Sequence, residues 1–95
     1  MVRRVAILGA TGSIGRSTID VLEQMGGREA FAVTALTGAS NVALLAEQAR
    51  RLGAEVAVTA DPACYAELRA RLAEAGVEAA CGPDAVEAAG RGADW

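Results

Sequence analysis

The segment Gly9-Ala10-Thr11-Gly12-Ser13-Ile14-Gly15 constrains this chain more than any other, because it joins the apolar run Val5-Ala6-Ile7-Leu8 directly to a helical pattern. A strand that ends in a glycine turn and passes straight into a helix leaves the first N–H groups and the positive dipole end of that helix facing the turn. The guest such a turn accepts is an anion, and the strand–turn–helix context points to a dinucleotide pyrophosphate. Each glycine has a separate task. Gly9 lets the chain turn at the strand end, Gly12 keeps a side chain out of the space a phosphate needs, and Gly15 lets the helix lie close to the sheet. The spacing is GxxGxxG rather than GxGxxG, so the context carries more of the inference than the pattern does. The competing reading is a glycine-rich turn with no ligand.

The rest of the composition narrows the chemistry. All nine basic residues are arginine, and the chain has no lysine and no histidine. The commonest general base and the amine nucleophile are therefore missing, and any proton transfer or metal binding would rest on carboxylates alone. A net charge of −3 and a pI near 4.8 offer no basic stripe for nucleic acid. The start Met1-Val2-Arg3-Arg4 is followed by too few apolar residues before Gly9 for a secretory signal, whose core needs about 7–15. No apolar run approaches the ~18 residues of a membrane span. Cys64 and Cys81 stand in no C-x-x-C or zinc spacing and read as reduced thiols of a cytoplasmic protein.

Along the chain, apolar segments with strand character alternate with helical ones. Residues 4–8 form the first strand, and its continuous apolar character suits burial on both faces. The following helix shows a stripe of Ile14, Thr18, Val21, Leu22 and Met25 and ends at Gly26-Gly27. Residues 31–36 read as the second strand, closed by a loop Thr37-Gly38-Ala39-Ser40. Asn41 caps a second helix with Val42, Leu45, Ala49 and Leu52 on one face, and Gly53 stops it. Residues 55–59 make a third strand. Asp61-Pro62 starts a third helix, with Tyr65, Leu68, Leu72 and Ala75 as its stripe before Gly76. Residues 77–81 make a fourth strand, and Pro83 opens a short helix over 84–89. The alternation predicts an α/β fold, a doubly wound parallel sheet with right-handed crossovers.

An NAD-type site places an Asp or Glu after the second strand, about 20 residues beyond the glycines, to hold the ribose 2′-OH. Here Thr37, Gly38, Ala39, Ser40 and Asn41 stand in that place, with no carboxylate. A carboxylate would repel a 2′-phosphate, so its absence beside hydroxyl and amide donors favours NADP. Asn41 serves as a cap in the structural reading and as a ribose contact in the functional one. Arg16 is either a phosphate cation or a solvated first-turn arginine. Thr11 and Ser13 either bond the pyrophosphate or cap the first helix. The carboxylates Asp20, Glu23, Glu47, Glu67, Glu74 and Glu87 fall on helix faces as solubilising residues, and Asp61 and Asp84 stand at helix starts as caps. No residue qualifies as catalytic or as a metal ligand.

The run Leu8-Gly9-Ala10-Thr11-Gly12-Ser13-Ile14-Gly15, followed by Ser17-Thr18-Ile19-Asp20-Val21, Ala35-Leu36-Thr37-Gly38, Asn41-Val42 and Glu47-Gln48, resembles the start of the 1-deoxy-D-xylulose 5-phosphate reductoisomerase family. Extended short-chain dehydrogenases and semialdehyde dehydrogenases share only the G-A-T-G opening. The resemblance implies a truncated Rossmann-like sheet, with residues 1–95 as an incomplete N-terminal NADPH-binding domain. It also implies Thr11, Gly12, Ser13 and Ile14 at the phosphates, and Ala39, Ser40 and Asn41 near the adenosine ribose, beside Gly9, Gly15 and Gly38, which the turn and the second loop themselves mark as cofactor-binding. The family uses NADPH and a divalent metal, Mg or Mn, to convert 1-deoxy-D-xylulose 5-phosphate to 2-C-methyl-D-erythritol 4-phosphate in non-mevalonate isoprenoid biosynthesis. Its metal, substrate-phosphate and loop-histidine residues match nothing in this chain.

Many members carry Gly followed by Lys or Arg before the asparagine, where this chain has Ala39-Ser40, so one cation near the 2′-phosphate is missing. The whole enzyme is expected to be a cytoplasmic homodimer acting on a small phosphorylated sugar, with no nucleic-acid or membrane partner. The chain alone is expected to be inactive. Its ending in Gly90-Arg91-Gly92-Ala93-Asp94-Trp95 reads as a cut inside a domain that leaves the first strand as an open edge inviting a partner. Two other classes compete: the nucleotide half of another NADP oxidoreductase, and a stand-alone nucleotide-binding domain without catalysis.

Overall fold

The computed structural model describes residues 3–26 and 30–89. The chain runs through β1 (Arg3–Ile7), α1 (Ser13–Gln24), β2 (Phe31–Gly38), α2 (Val42–Leu52), β3 (Val56–Thr59), a 3-10 turn (Pro62–Cys64), α3 (Tyr65–Leu72), β4 (Glu78–Cys81) and α4 (Pro83–Ala89). The strands form one parallel sheet in the order β1-β2-β3-β4, which puts β1 at an edge among the described residues. This is the α/β, Rossmann-like arrangement that the alternation of elements implies.

Both faces of the sheet are covered. On one face Val5, Ile7, Val33 and Leu36 pack with Ile19 and Leu22 of α1, Leu45 and Leu52 of α2, and Leu68 and Leu72 of α3. On the other, Ala35 and Val58 pack with Ala6, Val56 and Ala80 and with Ala85 and Val86 of α4. α1 to α3 therefore share one face and α4 lies on the opposite one. The asymmetry in side-chain size, leucines on one side and alanines on the other, lets the short α4 approach closely.

The β1–β2 ladder contains one irregularity. Val5 pairs with Val33 but Ala6 pairs with Ala35, so Thr34 is an extra residue in β2. Its hydroxyl donates to the Val5 carbonyl at 3.2 Å and occupies the gap in the ladder. A bulge of this kind bends a strand and increases its twist.

Several elements depart from the sequence reading. In α1 the buried positions are Gly15, Ile19 and Leu22, whereas Val21 and Met25 are exposed. The stripe is rotated because the Gly15 face is the one pressed against the strand end. The Ile14 side chain lies outside the described residues, as does Gly27 in the segment after the helix. Asp61 caps a 3-10 turn rather than an α-helix, its carboxylate accepting from Ala63 N at 3.0 Å, and α3 begins at Tyr65. α3 stops at Leu72, which leaves Ala75 exposed in the following turn. α2 matches expectation throughout: Asn41 Oδ1 accepts from Leu44 N, the four stripe residues are buried, and Gly53 caps the end in the left-handed conformation.

Candidate functional site

β1, β2 and β3 run parallel, so the loops at their C-terminal ends, 8–12, 39–41 and 60–61, meet along one edge of the sheet, with Gly38 the last residue of β2 rather than part of the loop as the sequence suggests. Ligands of open α/β sheets bind along this edge. Gly9 turns the chain there with φ of +73°, a conformation that L side chains avoid. Gly12 N donates to Gly9 O at 3.1 Å and closes the turn. Gly15 lies against it so tightly that an added Cβ would fall 2.7 Å from Ala10 Cα and closer still to Gly9 O.

The start of α1 is open to a guest. Gly12 is itself the N-cap, at φ −79° and ψ 172°, and as a glycine it has no side chain with which to cap the helix. The Thr11 alternative as a helix cap is therefore not what the fold uses, and the Ser13 side chain lies outside the described residues. The first intrahelical bond at this end is Arg16 N to Gly12 O, so the N–H groups of the preceding helical residues have no acceptor within the helix. No acidic residue stands in the first turn. Among the described residues, and apart from its chain neighbours, a Cβ on Gly12 would meet Gly9 O alone, at the ordinary contact distance of 3.5 Å. Uncompensated N–H groups and a helix dipole with no negative charge nearby favour an anion.

The second loop sits beside it. A Cβ on Gly38 would lie 3.3 Å from Thr11 Cγ2 and Oγ1, so Thr11 and Gly38 bring the two loops into contact. Ala39, Ser40 and Asn41 are exposed. Asn41 uses its Oδ1 to cap α2, which leaves its amide nitrogen for another partner. Thr59, fully buried, donates its hydroxyl to Ala39 O and accepts from Asp61 N at 3.2 Å, tying this loop to the end of β3. Arg16 is exposed and makes no ion pair among the described residues.

Thr37 requires a correction. The sequence reading puts it in the loop as a hydroxyl donor for the ribose, but it lies within β2 and is buried. Its hydroxyl accepts from Gly9 N at 2.9 Å and its carbonyl from Ala10 N at 2.7 Å. Gln48 is also buried; its Nε2 donates to Ala10 O at 2.9 Å while its Oε1 has no partner. Thr37, Gln48 and Thr59 are thus the supports that sequence reasoning missed. The available signal was a polar residue on an apolar stripe, as Gln48 is between Leu45 and Leu52.

The remaining candidates do not gather. Among the described residues no group of three or more His, Cys, Asp or Glu is placed to hold a metal ion, and no helix is long and apolar enough to cross a membrane. Burial, followed by the neighbouring Asp61 carboxylate, holds the Cys64 thiol above its ordinary value. A cleft of about 510 Å³ between α3 and β4, lined by Tyr65, Arg69, Val77 and Glu78, takes no residue from either loop.

The family model described as 1-deoxy-D-xylulose 5-phosphate reductoisomerase matches residues 5–94. The chain is 57% identical over 94 residues to the 1-deoxy-D-xylulose 5-phosphate reductoisomerase of Rhizobium meliloti (strain 1021), covering 98% of this chain and 24% of that protein. It superposes on the Zymomonas mobilis reductoisomerase in complex with NADPH with a TM-score of 0.92 and 51% identity, over 100% of this chain and 25% of the other. A DOX-P reductoisomerase in complex with NADPH, fosmidomycin and magnesium gives a TM-score of 0.80 at 32% identity, over 88% of this chain and 20% of that one. The chain spans about a quarter of the length of the curated relatives it matches.

Proposed function

The chain belongs to the 1-deoxy-D-xylulose 5-phosphate reductoisomerase family, and from that premise we propose that residues 1–95 form an incomplete N-terminal NADPH-binding domain. The pyrophosphate lies on the turn from Gly9 to Gly15, contacted by Thr11, Gly12, Ser13 and Ile14, and the ribose 2′-phosphate lies beside Gly38, Ala39, Ser40 and Asn41. One observation carries the reading. A glycine-capped helix N-terminus with no acidic residue in its first turn adjoins an acid-free loop at the C-terminal edge of a parallel sheet.

In the whole enzyme NADPH supplies the hydride that reduces a rearranged phosphorylated sugar, with Mg or Mn at residues outside this chain. This chain's own residues bind and orient the cofactor: the turn fixes the pyrophosphate, and Asn41 offers its amide to the phosphate while its Oδ1 holds α2 in place. The whole enzyme is read as a cytoplasmic homodimer. The described residues bring together neither a metal-ligand cluster nor a general base, and the chain contains no lysine or histidine. Purified chain mixed with deoxyxylulose phosphate, NADPH and Mg or Mn is expected to form no product. Product formation would overturn the restriction of this segment to cofactor binding.

Calorimetry on the chain is expected to give tighter binding of NADPH than of NADH. Asn41→Asp keeps a good N-cap but sets a carboxylate against the 2′-phosphate. It is expected to lower the preference for NADPH by about tenfold, equivalent to ~1.4 kcal/mol. Tighter binding of NADH by the unsubstituted chain would defeat the assignment of the second loop.

A further inference from the structure

We propose that Gln48 is a positioning residue for the cofactor, acting through the Ala10 carbonyl to hold the glycine turn in its anion-binding shape. The proposal rests on the NADPH reading and adds to it a residue on α2 that touches no ligand.

Three polar groups at the start of the turn are held from below. Thr37 takes the N–H groups of Gly9 and Ala10, and Gln48 Nε2 donates to Ala10 O at 2.9 Å. The Thr37 bonds come from the end of β2, one strand step past the last β1–β2 pair, Ile7 with Leu36. The Gln48 bond is different, because it joins residues 38 positions apart through a side chain that is 3% exposed. It is the tie from α2 to the turn that precedes α1. The carbonyl it holds is flanked by the Gly9 and Gly12 pair that closes the turn and by the backbone on which Gly15 packs.

The amide is only half used. Its Oε1 is buried with no partner, so the side chain leaves one polar group unsatisfied in order to place the other on Ala10. Leucine or methionine in this apolar stripe would strip the buried Ala10 carbonyl of this donor, so the demand for a polar side chain at position 48 comes from the turn. Turning the amide over would set Oε1 against the Ala10 oxygen, so the orientation of the donor is fixed by that carbonyl. The chemistry this site needs at position 48 is a neutral donor.

Gln48→Glu tests that requirement. An ionised carboxylate repels the Ala10 carbonyl, whereas the protonated acid restores an O–H donor to the same atom. NADPH binding by Gln48→Glu, measured relative to the unsubstituted chain at each pH, is expected to be at least about tenfold weaker at pH 8 and to recover as pH falls toward 5. Gln48→Leu is expected to bind about tenfold more weakly at every pH. Without cofactor, both variants at pH 8 are expected to exchange the Ala10 and Gly12 amide hydrogens faster, with exchange in β3 and α3 unchanged.

A pH-independent loss in Gln48→Glu, or unchanged exchange at Ala10 and Gly12, would overturn the positioning role. The exchange measurement needs no cofactor. Failure of the unsubstituted chain to bind NADPH, with exchange at the turn still dependent on Gln48, would instead count against the NADPH reading. If Gln48→Leu does not fold, the pH recovery of Gln48→Glu decides the question.

Discussion

Gly15→Ala is expected to lower the thermal unfolding midpoint by on the order of 15 °C, even though alanine favours an isolated helix over glycine by about 1 kcal/mol. The sign is decided by contact. The new Cβ would collide with Gly9 O and sit 2.7 and 2.9 Å from Ala10 Cα and C, all of them backbone atoms. Those atoms cannot retreat, because Thr37 and Gln48 hold Gly9 and Ala10 from the other side. Relief must come from moving α1 outward, which withdraws Ile19 and Leu22 from the core. Overpacking of this kind costs about 3 kcal/mol, a large part of a small domain's stability of ~5–15 kcal/mol. Circular dichroism melting is the check. An unchanged or higher midpoint would mean that α1 does not pack on the turn as described.

Gly12→Val is expected to produce the opposite pattern, with folding nearly intact and NADPH binding weakened at least about a hundredfold, or ~2.7 kcal/mol. The backbone at Gly12 is extended, and its Cβ position meets a single atom at ordinary contact distance. The structural cost is limited to the poorer N-cap, about 1 kcal/mol. The branched side chain occupies the space over the helix start where a phosphate would meet N–H groups. Calorimetry with NADPH, paired with a melting curve on the same sample, separates the two effects. Affinity equal to that of the unsubstituted chain would remove the pyrophosphate from this turn. Glycines three residues apart thus divide between a folding role and a binding role.

How legible this was in the sequence depended on whether the deciding interaction was local. α2 was legible in full because its cap, stripe and stop are all set by its own residues. α1 offered two apolar stripes, one through Val21 and Met25 and one through Gly15, Ile19 and Leu22, and only the contact between Gly15 and the strand end chooses between them. The glycine turn and the acid-free loop were legible as motifs. Thr37 was not, because its partner lies 28 positions away and nothing local distinguishes a supporting hydroxyl from a loop donor; Gln48 stands out as a polar residue on the α2 stripe, but the carbonyl it serves lies 38 positions away. The extra residue in β2 left no trace in composition or periodicity, since a one-residue slip in pairing is a tertiary outcome.

That extra residue gives β2 a spare unit of length. Phe31 and Val33 face the leucine-rich core, and so does Leu36, although uninterrupted alternation from Val33 would turn Leu36 toward α4 and Ala35 toward α2. The kink at Thr34 absorbs the difference and brings Thr37 alongside Gly9. Losing one residue between Val33 and Leu36 would therefore leave a regular strand with Leu36 still inward and Thr37 still under the turn. Gaining one would also keep Leu36 inward, but it would set two surplus residues rather than one against β1. One residue fewer straightens this strand, and one more enlarges its bulge.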